Sequence, residues 1–193
     1  MAARSYAAKR DFSKTPEPRS GKRRSKAAPL FVIQQHAASS LHYDFRIEVA
    51  GTLKSWAVPK GPSTDPKVKR LAIPTEDHPL DYADFEGVIP EGQYGGGTVQ
   101  VWDCGPYDNI TEKDGKTQPI ETALKQGHAL IFLHGRKLTG GYALQRTGKG
   151  KDAKWLLIKM DDAEADARRN PVSTEGKSVL SGRTIAEIAE EGK

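Results

Sequence analysis

The chain has 193 residues, 36% of them hydrophobic and 28% charged, which is enough to bury a core without disulfides or structural metals. Its single cysteine, Cys104, excludes an intramolecular disulfide framework and fits a reducing compartment. No apolar run approaches the length of a membrane span and the N-terminus lacks the apolar core of a secretory leader, so a cytoplasmic protein with no membrane partner is expected.

The formal net charge of +5 is gathered at one end. Residues 1–27 carry nine Lys/Arg against Asp11 and Glu17, a net of +7, so the remainder sums to −2. A basic arm on a near-neutral body suits a polyanionic partner, most simply nucleic acid. The bland alternative is a solvated tail. Residues 1–29, polar and rich in Pro, Ser and Lys, read as a flexible basic arm or linker, and residues 30–193 as the folded domain.

From Leu30 the composition changes abruptly. LFVIQQH reads as a first strand, His42–Ala50 as a second, and Leu53–Val58 as a third, stopped by Pro59. A short strand over Lys69–Ile73 leads into the irregular segment PTEDHPLDYADFEG. IPEGQYGGG is a glycine-rich turn before a strand over Thr98–Asp103, and Asp108 to Gln118 is a polar loop. A short helix over Ile120–Gln126 ends at Gly127. Strands follow over Ala129–Leu133, Arg136–Arg146 and Lys154–Met160, then a C-terminal helix over Thr184–Glu191. With 19 Gly, 12 Pro and short apolar segments, the pattern is mainly β. Hairpin-connected strands in this number favour a closed antiparallel barrel of about eight strands with one or two short helices.

One stretch, His36 to Val49, carries the clearest chemistry. Read as a strand, Leu41, Tyr43, Phe45, Ile47 and Val49 form an apolar face, and His42, Asp44, Arg46 and Glu48 an open polar one. His42 and Asp44 project the same way, one pleat repeat of roughly 7 Å apart, with His36 just upstream. Two imidazoles and a carboxylate make a mixed N/O site suited to Mn²⁺, Fe²⁺ or Zn²⁺; the alternative is a solvated strand face. Arg46 beside such a site suits a phosphate or carboxylate, or else a cross-strand ion pair. His78 and Tyr82 flank the turn at Pro79 and supply a proton donor and a phosphate-binding hydroxyl, unless His78 is a plain surface residue. The cluster Gly92, Gly95, Gly96, Gly97 precedes a strand and lacks a following Lys-Ser/Thr, so it reads as turn geometry. Cys104, His128 and His134 read as structural or incidental.

FVIQQHAASSLHYDFRIEVAGTLKSWAVPKGPSTDPKVKRLAI, continuing into EDHPLDYADFEGVIPEGQYGGGTVQVWDCG, resembles the 3′-phosphoesterase domain of bacterial DNA ligase D, a family with stand-alone members. The resemblance extends to YAAKRDFSKTPEP upstream and to LIFLHGRKLTGGYALQR and KWLLIK downstream. No ligase or polymerase signature is present, so the expectation is that module alone. The resemblance implies a compact barrel with one divalent metal, usually Mn²⁺ with Zn²⁺, Co²⁺ or Fe²⁺ as alternatives, on His36, His42 and Asp44. It places phosphate contacts on Arg46, His78 and Tyr82. Supporting polar residues fall on Arg10, Asp11, Glu17, Gln34, Lys60 and Arg70, with Lys60 and Arg70 on the phosphate side, and the TPEP segment is expected to pack on the site.

The implied activity is healing of DNA 3′ ends in non-homologous end joining. A phosphodiesterase step removes a 3′-terminal ribonucleoside, and a phosphomonoesterase step converts the resulting 3′-phosphate to 3′-OH. The implied partners are primer–template 3′ ends and separate ligase, polymerase and end-binding proteins, with a monomer acting at the nucleoid. Two other classes fit parts of the pattern. One is a non-catalytic nucleic-acid-binding barrel. The other is a non-haem Fe²⁺ oxygenase with Arg46 on a keto-acid carboxylate.

Overall fold

The computed structural model describes residues 6–19, 28–150 and 152–192, so the basic run 22–26 lies outside the described residues. Strands β1 (Leu30–Ala37), β2 (Leu41–Val49) and β3 (Thr52–Val58) form an antiparallel meander. The second hairpin turns on Ala50 and Gly51, at φ 50° and 79°, the left-handed pair that matches strand twist. β4 (Lys69–Pro74) pairs with β3, and β5 (His78–Pro79) pairs with the start of β3. A 3-10 helix, Leu80–Asp84, leads to β6 (Gly87–Ile89) and the long β7 (Gly97–Asn109). Then come β8 (Glu112–Lys113), β9 (Lys116–Thr117), the helix Ile120–Gln126, β10 (His128–His134), β11 (Thr139–Thr147) and β12 (Lys154–Lys159). Short helices Pro171–Thr174 and Ile185–Glu191 end the described chain, the latter with a Thr184/Glu187 capping box.

Eight strands close into an antiparallel barrel in the order β1-β2-β3-β4-β12-β11-β10-β7, sealed by β7 against β1. Closure removes the unpaired edges that an open sheet would present. β7 serves three neighbours: its first part lies between β1 and β6, and residues 107–109 pair with β10. Gly105 and Pro106, which look like breakers, mark the corner instead. A Cβ at Gly105 would run into the His134 carbonyl, so only glycine lets β7 pass there. The strand expected to end at Asp103 therefore continues to Asn109. Within the expected polar loop, Asp114 and Gly115, both at positive φ, turn the small β8–β9 hairpin.

Two apolar clusters divide the molecule at the barrel wall. Tyr43, Phe45, Ile47 and Val49 of β2 join Trp56, Trp102, Leu144 and Trp155 in the interior cluster. A second cluster on the outer side gathers Val32, Leu53, Leu80, Tyr82, Val99 and Val101 around Tyr6 of the arm, which is fully buried. The polar face of β2 is therefore not open, as its alternation suggested, but covered. Asp44 is 6% exposed and Arg46 3%, under the arm and the segment after β4. His128 and His134 are exposed at the two ends of β10, His134 pairing with Asp108 at 2.7 Å. Among the described residues no helix is long and apolar enough to cross a membrane.

Candidate active site

The β1–β2 register places His36 directly opposite His42. Opposed residues of an antiparallel pair share a face, and Asp44 follows His42 on that face by one pleat. One ligand atom from each of His36, His42 and Asp44 lies within 4.8 Å of the others. The second ring nitrogens are committed elsewhere: His36 Nε2 donates to the Gly95 carbonyl at 3.0 Å and His42 Nδ1 to the Ser40 carbonyl at 3.1 Å. A carbonyl only accepts, so these contacts set the tautomers. The lone pairs of His36 Nδ1 and His42 Nε2 then face the Asp44 carboxylate at 3.7 and 3.8 Å. Lone pairs aimed at a carboxylate repel unless a cation lies between them. The donor set, two imidazoles oriented by backbone and one carboxylate, fits a divalent metal.

Beside this set lies an arginine-rich wall. Arg46 Nη2 donates to Asp44 at 3.1 Å, Nε to Gln34 at 2.8 Å and Nη1 to Ser55 Oγ at 2.8 Å. Burial opposes charge on Asp44, but the Arg46 guanidinium overcomes it and holds the carboxyl at about 2. Arg46 Nη1 also lies 3.0 Å from His78 Nδ1, and that nitrogen is 2.9 Å from the Glu76 carbonyl. One neighbour can only donate and the other only accept, so the His78 proton can sit on either nitrogen. Burial and the Arg46 charge depress His78 to about 2, leaving a neutral imidazole against two guanidiniums. The second is Arg10, whose Nη2 lies 3.5 Å from His78 Nε2.

The arm holds Arg10 in place. Its Nε donates to Glu17 at 2.8 Å, its Nη1 to Glu76 at 2.7 Å, and its guanidinium stacks 3.8 Å from the Tyr6 ring centroid. Tyr6 Oη in turn donates to the Pro18 carbonyl at 2.9 Å. Tyr82 is buried with its ring 4.6 Å from His78 and 5.0 Å from the Arg46 guanidinium, and burial raises its phenol well above 10. Gln34, fully buried, ties Arg46 to the Tyr82 and Phe85 carbonyls.

Together these groups line a cleft of about 220 Å³ that contains Arg10, Glu17, His36, His42, Asp44, Arg46, His78 and Tyr82. The lining does not include Asp11, Lys60 or Arg70. Asp11 is half-exposed and accepts from Ser13 and Lys14, Lys60 is exposed beyond β3, and Arg70 is on β4. His78 is 6% exposed, not a surface residue. Sequence reasoning missed Tyr6, Ser55, Glu76 and the Gly95 carbonyl. Only Glu76 had a signal, a carboxylate two residues before His78. A larger hollow of about 430 Å³, between the helix Ile120–Gln126 and β3, is lined by Trp56, Leu124 and Trp155. Among the described residues it holds no metal-ligating set.

A family model described as the DNA Ligase D 3′-phosphoesterase domain matches residues 34–146. The chain belongs to that family. It is 51% identical to the multifunctional non-homologous end joining protein LigD of Pseudomonas aeruginosa, over 93% of this chain and 21% of that protein. It is 40% identical to the LigD protein of Mycobacterium tuberculosis, over 97% of this chain and 24% of the relative. It is 43% identical to that of Mycolicibacterium smegmatis, over 81% and 20%. The chain thus spans a fifth to a quarter of the length of these relatives.

Proposed function

We propose that this phosphoesterase-family chain heals DNA 3′ ends for non-homologous end joining, in a reaction that needs a divalent metal, Mn²⁺ in the first instance. The carrying observation is the convergence of His36, His42 and Asp44 next to a wall holding Arg46, His78 and Arg10. In the first step water adds to phosphorus and the bond to O5′ of a 3′-terminal ribonucleoside breaks, O5′ leaving with a proton. In the second, water adds to the resulting 3′-phosphate and the bond to O3′ breaks, giving 3′-OH and inorganic phosphate.

His36 Nδ1, His42 Nε2 and Asp44 would hold the metal, which when bound supplies Lewis acidity and charge neutralisation for the phosphoryl group. The remaining steps fall to the chain. Arg46 keeps one Nη2 hydrogen beyond its bonds to Asp44, Gln34, Ser55 and His78, and points it at a phosphoryl oxygen. Arg10 presents Nη2 beside His78 Nε2. An arriving phosphate anion raises the affinity of His78 for a proton, and Nε2 then donates it toward the phosphoryl or leaving oxygen. Tyr82 fixes the imidazole against Arg46. Lys60 and Arg70 act, in this reading, on more distant phosphates, and Asp11 on the arm.

Residues 30–193 form the catalytic body in this account and residues 1–29 an arm that completes the cleft. The test is a primer–template ending in a 3′-ribonucleotide, incubated with Mn²⁺, with product ends resolved on a gel. A 3′-phosphate appearing before a 3′-OH supports the reading. Unchanged ends, or equal rates in His42→Ala, overturn it.

A further inference from the structure

Beyond the phosphoryl chemistry, the cleft rim carries an aromatic side chain with no role so far. Tyr94 lies in the turn 90–97, folded by Gln93 N donating to the Pro90 carbonyl at 3.1 Å and Gly96 N to that of Gln93 at 3.0 Å. The same turn presents the Gly95 carbonyl to His36, so it is tied to the ligand wall. Tyr94 lines the cleft yet stays 49% exposed. Its ring is not loose. Lys9 Nζ and Arg10 Cζ lie 4.7 and 5.2 Å from its centroid, and Lys9 Nζ donates to its hydroxyl at 3.3 Å.

A second hollow, about 560 Å³, adjoins the cleft and shares Ala38 and Ile89 with it. Its lining has no Lys or Arg, carries one carboxylate in Glu91, and includes Gly92, Gly96 and Gly97. The cleft, by contrast, contains Arg10 and Arg46. That asymmetry sorts the parts of a 3′ end. The retained strand carries a row of phosphates and needs cations, whereas the terminal nucleoside carries none beyond the one attacked. A hollow without cations, bounded in part by glycines and adjoining the cleft that Tyr94 lines, suits a nucleoside.

We propose that Tyr94 and this cation-free hollow seat the terminal nucleoside, with the ring stacked on the base that departs. The inference rests on the 3′-end reading above. It explains why the glycine cluster, with no phosphate-loop features, sits at the site.

The test replaces Tyr94 by Ala and by Phe. Two primer–templates are compared in Mn²⁺, one ending in a complete 3′-ribonucleotide and one in a base-free ribose at that position. Tyr94→Ala is expected to raise KM for the complete end by about tenfold, as for one base–aromatic stack, with kcat unchanged. Tyr94→Phe should match the wild type. Removing the base should cost the wild type the same factor and Tyr94→Ala nothing further. In metal-free buffer, a terminal 2-aminopurine riboside should lose fluorescence on binding the wild type and the Phe variant but not the Ala variant. Equal KM for wild type and Tyr94→Ala overturns the inference. So does a Phe variant as impaired as Ala, since the Lys9 hydrogen bond would then be what matters. A wild type that cleaves neither end overturns the 3′-end reading instead. Quenching then decides Tyr94 alone: lost in Ala and kept in Phe supports the seat, unchanged in Ala overturns it.

Discussion

The ligand wall of the cleft comes from two adjacent strands, β1 and β2, whereas the facing wall is collected from the arm and from the segment between β4 and β6. His36, His42 and Asp44 owe their convergence to strand register and to two nearby carbonyls. Arg10 and His78 owe theirs to contacts between residues about seventy apart, such as Arg10 with Glu76 and the arm's Tyr6 with His78. The first wall is secured by the barrel itself. The second takes Arg10 from the arm, while His78 is also held by the pairing of β5 with β3 and by Arg46. Metal binding and phosphoryl handling should therefore be separable by mutation.

The largest effect is expected at the ligand wall. Asp44→Asn keeps the side-chain shape but removes the charge between the two imidazoles, and should weaken Mn²⁺ by at least about a hundredfold in a calorimetric titration. Next is the arm. Arg10→Ala leaves Glu17 buried without its cation and Glu76 with Lys9 alone, and should cost about 3–5 kcal/mol in urea unfolding. Mn²⁺ affinity should stay within about twofold of wild type, since no ligand touches Arg10. A parallel loss of metal would mean that the two walls are one unit.

Acid should act more gently, through the facing wall. His78 has a folded pKa of about 2, below its unfolded value near 6.5, so the unfolded chain takes up that proton first. Stability is fully present above about pH 6.5 and is lost as pH falls toward the folded pKa, by roughly 1 kcal/mol per pH unit. Asp44 adds to this only below about pH 4, its unfolded pKa. In metal-free buffer between pH 6 and 4.5, the slope of unfolding free energy should flatten in His78→Gln; an unchanged slope would remove His78 as the cause. The smallest effect is Lys14→Ala, which removes an exposed pair with Asp11 and should leave the urea midpoint unchanged within error.

The difference between the walls also explains what could be read in advance. Strand alternation over residues 41–49 placed His42, Asp44 and Arg46 on one face, because period two is a local property of the backbone. The eight-stranded barrel was legible from the number of hairpin-linked strands. Alternation could not say that the polar face would be covered, since Tyr6, Glu17 and Glu76 reach it from elsewhere in the chain. His78 and Tyr82 were marked only weakly by the turn at Pro79 and took their phosphate role from the family resemblance, since no local pattern distinguishes His78 from a surface histidine beside a proline. Ser55 and the Gly95 carbonyl left no trace, for a strand serine and a turn carbonyl look alike wherever they occur. The strand expected to end at Asp103 runs on through Gly105 and Pro106 for a related reason: a corner between two barrel neighbours has the composition of a loop.

The claim on which the rest depends is that His36 Nδ1, His42 Nε2 and Asp44 form one metal centre. Pulsed electron paramagnetic resonance of the protein loaded with Mn²⁺ tests it directly. The account predicts one Mn²⁺ per chain with two directly bound ¹⁴N nuclei, one of which disappears in His36→Ala and one in His42→Ala. Mn²⁺ bound without nitrogen couplings, or with couplings unchanged in both variants, would contradict it.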